Sequence, residues 1–176
     1  PTGNTQAVCA FVEDVGTEHD EVNDKWTRKV VILWELSERM KDGRPFMLSR
    51  SYTLSLHEKA TLRKDLESWR GKRFTDAELG GFDLEKLIGV NCLLNVVSYT
   101  KKNGEEGRKI AAVSPAMKGM NPLMPVTEKA PEWVAKRREE NEKEFAASDK
   151  APVVVLDDKP SKPSPVPAAV LDEPPF

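Results

Sequence analysis

Phe46-Met47-Leu48-Ser49-Arg50-Ser51-Tyr52-Thr53 runs directly into Leu54-Ser55-Leu56-His57-Glu58-Lys59-Ala60-Thr61-Leu62-Arg63-Lys64-Asp65-Leu66-Glu67-Ser68-Trp69-Arg70-Gly71. The change of period between these two stretches decides the fold. In the first, Phe46, Leu48, Arg50 and Tyr52 fall on one face of an extended chain and Met47, Ser49, Ser51 and Thr53 on the other. In the second, Leu62, Leu66 and Trp69 recur at helical spacing. Ser55-Leu56-His57-Glu58 reads as a capping box that opens the helix, and Gly71 is placed to stop it. A strand therefore hands over to a helix.

Working outward, Lys41-Asp42-Gly43-Arg44 is a turn. Before it, residues 26–36 form a strand whose centre, Val30-Val31-Ile32-Leu33-Trp34, is apolar on both faces. Residues 7–12 read as the first strand, ending near Val15-Gly16, with 17–24 as a polar loop. After the helix, Thr75-Asp76-Ala77-Glu78 is a second capping box, and Leu84, Leu87 and Ile88 supply apolar surface before Gly89. Residues 90–99 and 108–114 are the fourth and fifth strands, joined at Asn103-Gly104 and closed by Pro115. Three strands, a helix and two strands is the element order of the OB-fold, a mainly β, five-stranded, partly open barrel. The expected organisation is an OB-fold domain at 1–120, a charged linker or helix at 121–147, and a disordered, Pro-rich, acidic tail at 148–176.

Composition narrows the function classes. Charged residues make up 32% of the chain and hydrophobic residues 39%. No apolar run approaches the roughly 18–20 residues a membrane span needs, and no secretory signal opens the sequence. The expected location is the cytoplasm. Cys9 and Cys92 each lie in an apolar stretch and read as reduced core thiols. Residues 1–123 hold 19 Lys and Arg against 18 Asp and Glu. That near-neutral balance argues against a purely electrostatic grip on duplex DNA. Single strands need fewer charges, because bases also stack on aromatic rings.

The tail carries the most specific pattern. Seven of the chain's 13 prolines lie between Pro152 and Pro175, and the sequence finishes Leu171-Asp172-Glu173-Pro174-Pro175-Phe176. A final aromatic residue can fill an apolar pocket while its carboxylate meets a cation at the rim. This ending resembles the C-terminal tip of bacterial single-stranded DNA-binding proteins, in which acidic residues, then proline, precede a final phenylalanine. The departures are an acidic run of only two residues and a proline where an aliphatic residue is usual. The resemblance implies that Asp172, Glu173, Pro174, Pro175 and Phe176 recruit replication or recombination proteins: a nuclease, a helicase or a recombinase mediator. Tyr52–Ala60, Leu62–Gly71, Phe74-Thr75, Gly81-Phe82-Asp83 and Leu87-Ile88-Gly89 also resemble a family of bacteriophage and prophage proteins usually placed in replication or recombination. That implies a phage protein working in a bacterial host.

A barrel that binds single strands needs rings for bases and cations for phosphates. Lys25, Trp26, Arg28 and Lys29 lie where the first loop enters the second strand. Arg50 and Tyr52 share a face of the third strand, and Tyr99, Lys101, Lys102, Arg108 and Lys109 frame the last hairpin. Trp26, Tyr52 and Tyr99 are the expected stacking residues and the Lys and Arg side chains the phosphate contacts. The plainer readings stand beside these. Trp34 and Trp69 belong to the core, Tyr52 and Tyr99 can pack their rings while keeping the hydroxyls wet, and the basic hairpin can be a solvated loop. In the charged segment, Trp133 and Phe145 can pack on the barrel or on a second copy in a homo-oligomer. The sequence leaves both open.

No catalytic motif accompanies these features. His19 and His57 lack a Cys or second His at metal spacing, and there is no Gly-rich phosphate loop or nucleophile elbow. The expectation is a binding protein with no catalytic residue, metal or cofactor. Two competing readings keep the sequence but change the job. In one, the barrel binds protein and the tip mimics a host tail, as an anti-defence module would. In the other, the protein anneals strands during recombination.

Overall fold

The computed structural model describes residues 2–148 and 175–176. The expected disorder of the tail, together with Asp172, Glu173 and Pro174, lies outside the described residues. Five strands, β1 (Gly3–Asp20), β2 (Lys25–Arg39), β3 (Pro45–Thr53), β4 (Asn91–Thr100) and β5 (Glu106–Pro115), form one antiparallel sheet in the order β3-β2-β1-β4-β5. Helix α1 (Thr61–Arg70) and the short α2 (Asp76–Leu79) stand between β3 and β4, followed by a 3-10 turn at Leu84–Leu87. Helix α3 (Glu132–Ala147) follows β5. The topology is OB-fold-like.

The expected barrel is not closed by hydrogen bonds: the five strands form one open sheet. β3 and β5 are the two edges of the sheet, and a cleft of about 300 Å³ lined by Leu36, Phe46, Met47, Leu48, Glu106 and Arg108 marks the seam between them. Helix α1 plugs the opening and ties three strands together. The Tyr52 hydroxyl donates to Asp65 at 2.8 Å, the Ser68 hydroxyl donates to the Val113 carbonyl at 2.7 Å, and the Trp69 indole N–H donates to the Asn91 carbonyl at 3.0 Å. Leu62, Leu66 and Trp69 carry the helix into the main core with Trp34, Ile32, Leu94 and Val113. Trp34 and Trp69 are core residues, as the aliphatic context of one and the helical stripe of the other suggest.

Local boundaries differ from the sequence reading: β1 begins at Gly3, β2 runs to Arg39 and β5 begins at Glu106, and two further differences have a physical reason. Helix α1 begins at Thr61 with Ala60 as its N-cap and no side-chain cap, because the Ser55 hydroxyl accepts from the His57 N–H at 3.2 Å and forms a turn instead. The Gly71 stop is a Schellman closure. Gly71 takes φ 69°, and the N–H groups of Gly71 and Lys72 reach the carbonyls of Ser68 and Glu67, each at 3.2 Å. Residues 17–20 are strand rather than loop, paired from Thr17↔Arg28 to Asp20↔Lys25. Backbone bonds make that ladder, so polar side chains do not forbid it. The capping box at Thr75 and Glu78 is present with both of its bonds.

The segment after β5 is strapped to the sheet. Asn91 accepts from the Leu123 N–H at 2.8 Å and donates to the Leu123 carbonyl at 2.9 Å. The buried Glu35 carboxylate, 2% exposed, accepts from the N–H groups of Val126 and Thr127 at 3.0 and 2.8 Å. The strap delivers α3 to a second apolar cluster, where Val134 meets Val15, Val31 and Leu33. Asn141 donates to the Val15 carbonyl at 2.8 Å, beside the β1 irregularity between Asp14 and Thr17 that Gly16 turns at φ 78°. Phe145 packs edge-on against Trp26 at 5.3 Å between ring centroids. Helix α3 thus lies on its own chain's sheet, while Trp133 is exposed.

Candidate functional site

β3 presents Arg50 and Tyr52 on its core-facing side and ends at Thr53, which pairs with Lys29 of β2. The chain then folds through 54–60 before entering α1. The His57 carbonyl accepts from the Ala60 N–H at 2.8 Å, and the His57 ring Nδ1 accepts from the Lys59 N–H at 3.3 Å. This tight turn stands opposite β3 and encloses an open groove of about 730 Å³. Lys29, Arg50, Lys59 and His57 line it together with the hydroxyls of Ser51, Thr53, Ser55 and Thr61, and no carboxylate is among its lining residues.

The cations of the groove are held in distinct ways. Lys29 donates to the Thr53 hydroxyl at 3.0 Å. Bonds from Asn23 and Val22 hold the Asp20 carboxyl below the usual range, and the Lys29 charge adds to them. The Arg50 guanidinium lies 3.0 Å from Asp65 and 5.4 Å from the Tyr52 ring centroid, yet its buried Nη1 has no aligned acceptor among the described residues. Lys59 is exposed at the turn. An array of cations and hydroxyls whose lining includes no carboxylate, with Asp65 behind Arg50, is suited to phosphate oxygens.

Two of the expected stacking residues are buried. Tyr52 is 3% exposed. Burial above all, then the neighbouring Asp65 charge and bond, push its phenol well above the usual range. Its ring supports the groove from below and offers no free face to a base. Trp26 is 7% exposed, sandwiched between His19 at 4.9 Å and Phe145 at 5.3 Å. Helix α3 covers it, a contact 119 residues away in sequence that no local pattern reveals. Tyr99 is different. It is 42% exposed and lies over Gly107, its cross-strand partner, where an added Cβ would come within 2.7 Å of the ring. The missing side chain gives the tyrosine a flat seat, and Lys109 Nζ stands 5.6 Å from the ring centroid.

The remaining basic residues do not gather in the groove. Arg28 is tied to Asp14 by a charge-assisted bond. Burial would raise the Asp14 pKa, but the bonds from Arg28 and the Gly16 N–H hold it below the usual carboxylate range. Lys25 opens β2 at the β1–β2 hairpin. Lys101 pairs with Glu105 at 3.2 Å and Arg108 with Glu106 at 2.9 Å, and Lys102 is exposed at the hairpin turn. β1 carries the β1–β2 hairpin at its C-terminal end and pairs with β4 through its N-terminal half. The candidates therefore divide between the two ends of the sheet. The structure brings together Lys29, Arg50 and Tyr52, and adds His57, which the capping-box reading had absorbed, and Lys59, just beyond that box. The clue was present as alternating hydroxyls at Ser51, Thr53 and Ser55 leading into two basic residues.

No protein-family model matches this chain, and no curated protein matches it. The topology resembles OB-fold-like nucleic-acid-binding domains in general shape. Among the described residues, no cluster of His, Cys, Asp and Glu could hold a metal ion, and no helix is long and apolar enough to cross a membrane.

Proposed function

We propose that this chain binds single-stranded DNA without sequence preference, carries out no chemistry on it, and serves phage replication or recombination in a bacterial host. The observation that carries the reading is the groove at the β3–α1 turn, lined by Lys29, Arg50, His57 and Lys59 and by no carboxylate. β3 leads from this groove to the seam that Arg108 lines. Met47 to Thr53 covers about 20 Å at roughly 3.3 Å per residue. Tyr99, paired with Gly107 on the β4–β5 hairpin, supplies a ring with an exposed surface on the other face of β5 from Arg108. A strand laid along β3 would meet phosphate donors over a span in keeping with about 4–16 nucleotides per OB-fold.

Burial of Trp26 and Tyr52 shifts the balance from stacking toward phosphate contacts. Binding should therefore be strongly salt-dependent. The segment 171–176 supplies the second half of the reading: it recruits replication or recombination proteins. A gel shift with fluorescent oligo-dT and a duplex of equal length tests the first half. The reading expects the single strand to shift at low salt and the duplex to bind at least tenfold more weakly; equal or better duplex binding would overturn it.

A further inference from the structure

Phe176 lies against the domain. Its ring meets Trp69 edge-on at 5.1 Å between centroids, and Phe82 at 6.0 Å. The Arg70 guanidinium carbon is 5.9 Å from the same centroid. Phe74 completes the wall, 4.9 Å from Phe82 and 4.6 Å from the Arg70 guanidinium. The pocket is firmly built. Trp69 is fixed by its bond to the Asn91 carbonyl, and Arg70 by two bonds to Glu78 at 3.2 and 2.7 Å. The Arg70 Nε is buried with no partner among the described residues, a donor left over in the wall.

We infer that this pocket is a receptor for Phe176 of the same chain, and that docking there withholds the segment 171–176 from partners until it is released. The inference rests on the proposed recruiting role of that segment. Trp69 receives the ring edge-to-face and Phe82 receives it at a tilt, the arrangements that aromatic pairs prefer.

The pocket is distinct from the groove. Thr61, at the start of α1, lines the groove, whereas Trp69 and Arg70 stand at its other end, about 12 Å away at 1.5 Å per residue. Docked Phe176 therefore leaves Lys29 and Lys59 uncovered, and DNA and the segment can be held together. Tethering sets an effective concentration on the order of 1 mM. A pocket with a dissociation constant of about 0.1 mM would then be about 90% occupied.

The test compares the full chain with Phe176→Ala by NMR, reading the Trp69 indole N–H. Removing the ring should move that resonance, by the same amount at every protein concentration. The free peptide Leu-Asp-Glu-Pro-Pro-Phe, added to Phe176→Ala, should restore the original position. It should bind the unaltered chain roughly tenfold more weakly, because the pocket there is already filled. Adding Phe82→Ala to Phe176→Ala should weaken the peptide further. An unmoved Trp69 resonance would overturn the inference, as would equal peptide affinity for the two chains. A shift that grows with protein concentration would also overturn it, since the occupant would be a second copy. Oligo-dT binding is measured on the same samples, so loss of the groove reading and loss of the pocket reading give different results.

Discussion

Tyr52 and Glu78 show what single side chains do in this fold. The Tyr52 hydroxyl reaches Asp65 at 2.8 Å while Arg50 flanks the same carboxylate at 3.0 Å. Tyr52→Phe keeps the packing and removes one bond to a charged acceptor. We expect a loss of about 1.5–3 kcal/mol in urea unfolding, with oligo-dT affinity changed less than twofold, because the ring is buried. A large loss of binding at unchanged stability would return Tyr52 to the stacking role. Glu78 is governed first by its hydrogen bond from Arg70. Burial opposes that effect and the Thr75 N–H reinforces it, leaving the pKa at about 2 against an ordinary 4.5. A depressed folded-state pKa means that the unfolded chain binds more protons between these values. The stabilisation is complete above about pH 4.5 and fades as pH falls toward 2. Glu78 is 34% exposed, so solvent screening reduces the amount. Glu78→Gln should flatten this part of the curve of urea midpoint against pH, and a curve parallel to that of the unaltered chain would contradict the assignment.

At the scale of elements, α3 is the piece whose role its own sequence does not disclose. Its surface carries the ion pairs Arg138–Glu142 and Lys143–Glu139, each worth only a few tenths of a kcal/mol. Its attachment comes from Val134 in the outer cluster and from Asn141 on the Val15 carbonyl. Asn141→Ala strands that carbonyl and should cost about 1–3 kcal/mol. Amide exchange in 132–147 and around Trp26 should rise well before exchange in β1 or β4. Uniform loss of protection across the sheet would mean that α3 and the sheet unfold as one unit.

The strand order, the helix after β3, the Gly71 stop and the Thr75–Glu78 box were legible because each is set by a period or by a residue with a narrow conformational use. The start of α1 was not, since Ser55 has two backbone partners within reach and the sequence does not choose between them. The burial of Trp26 and the strap held by Glu35 depend on chain more than 90 residues distant in sequence. Glu35 looks like a solvated residue at the end of an apolar run. Only the arrival of the Val126 and Thr127 N–H groups makes its burial tolerable. The groove was half legible: Lys29 and Arg50 could be placed on neighbouring strands, while His57 and Lys59 needed the turn that brings them back over β3.

For the whole molecule, the two binding tasks proposed above fall at opposite ends of one helix. The groove lies at the start of α1 and the Phe176 pocket at its end, with a sheet left open between β3 and β5. The central claim is that the groove neutralises phosphates. It is tested most directly by the salt dependence of fluorescent oligo-dT affinity for the full chain and for Lys29→Ala/Lys59→Ala. Each lost single-strand phosphate contact should lower the slope of log affinity against log salt by about 0.7. The account predicts a slope shallower by about 1.4 in the double variant, with weaker binding at low salt. Parallel slopes with equal affinities would contradict it.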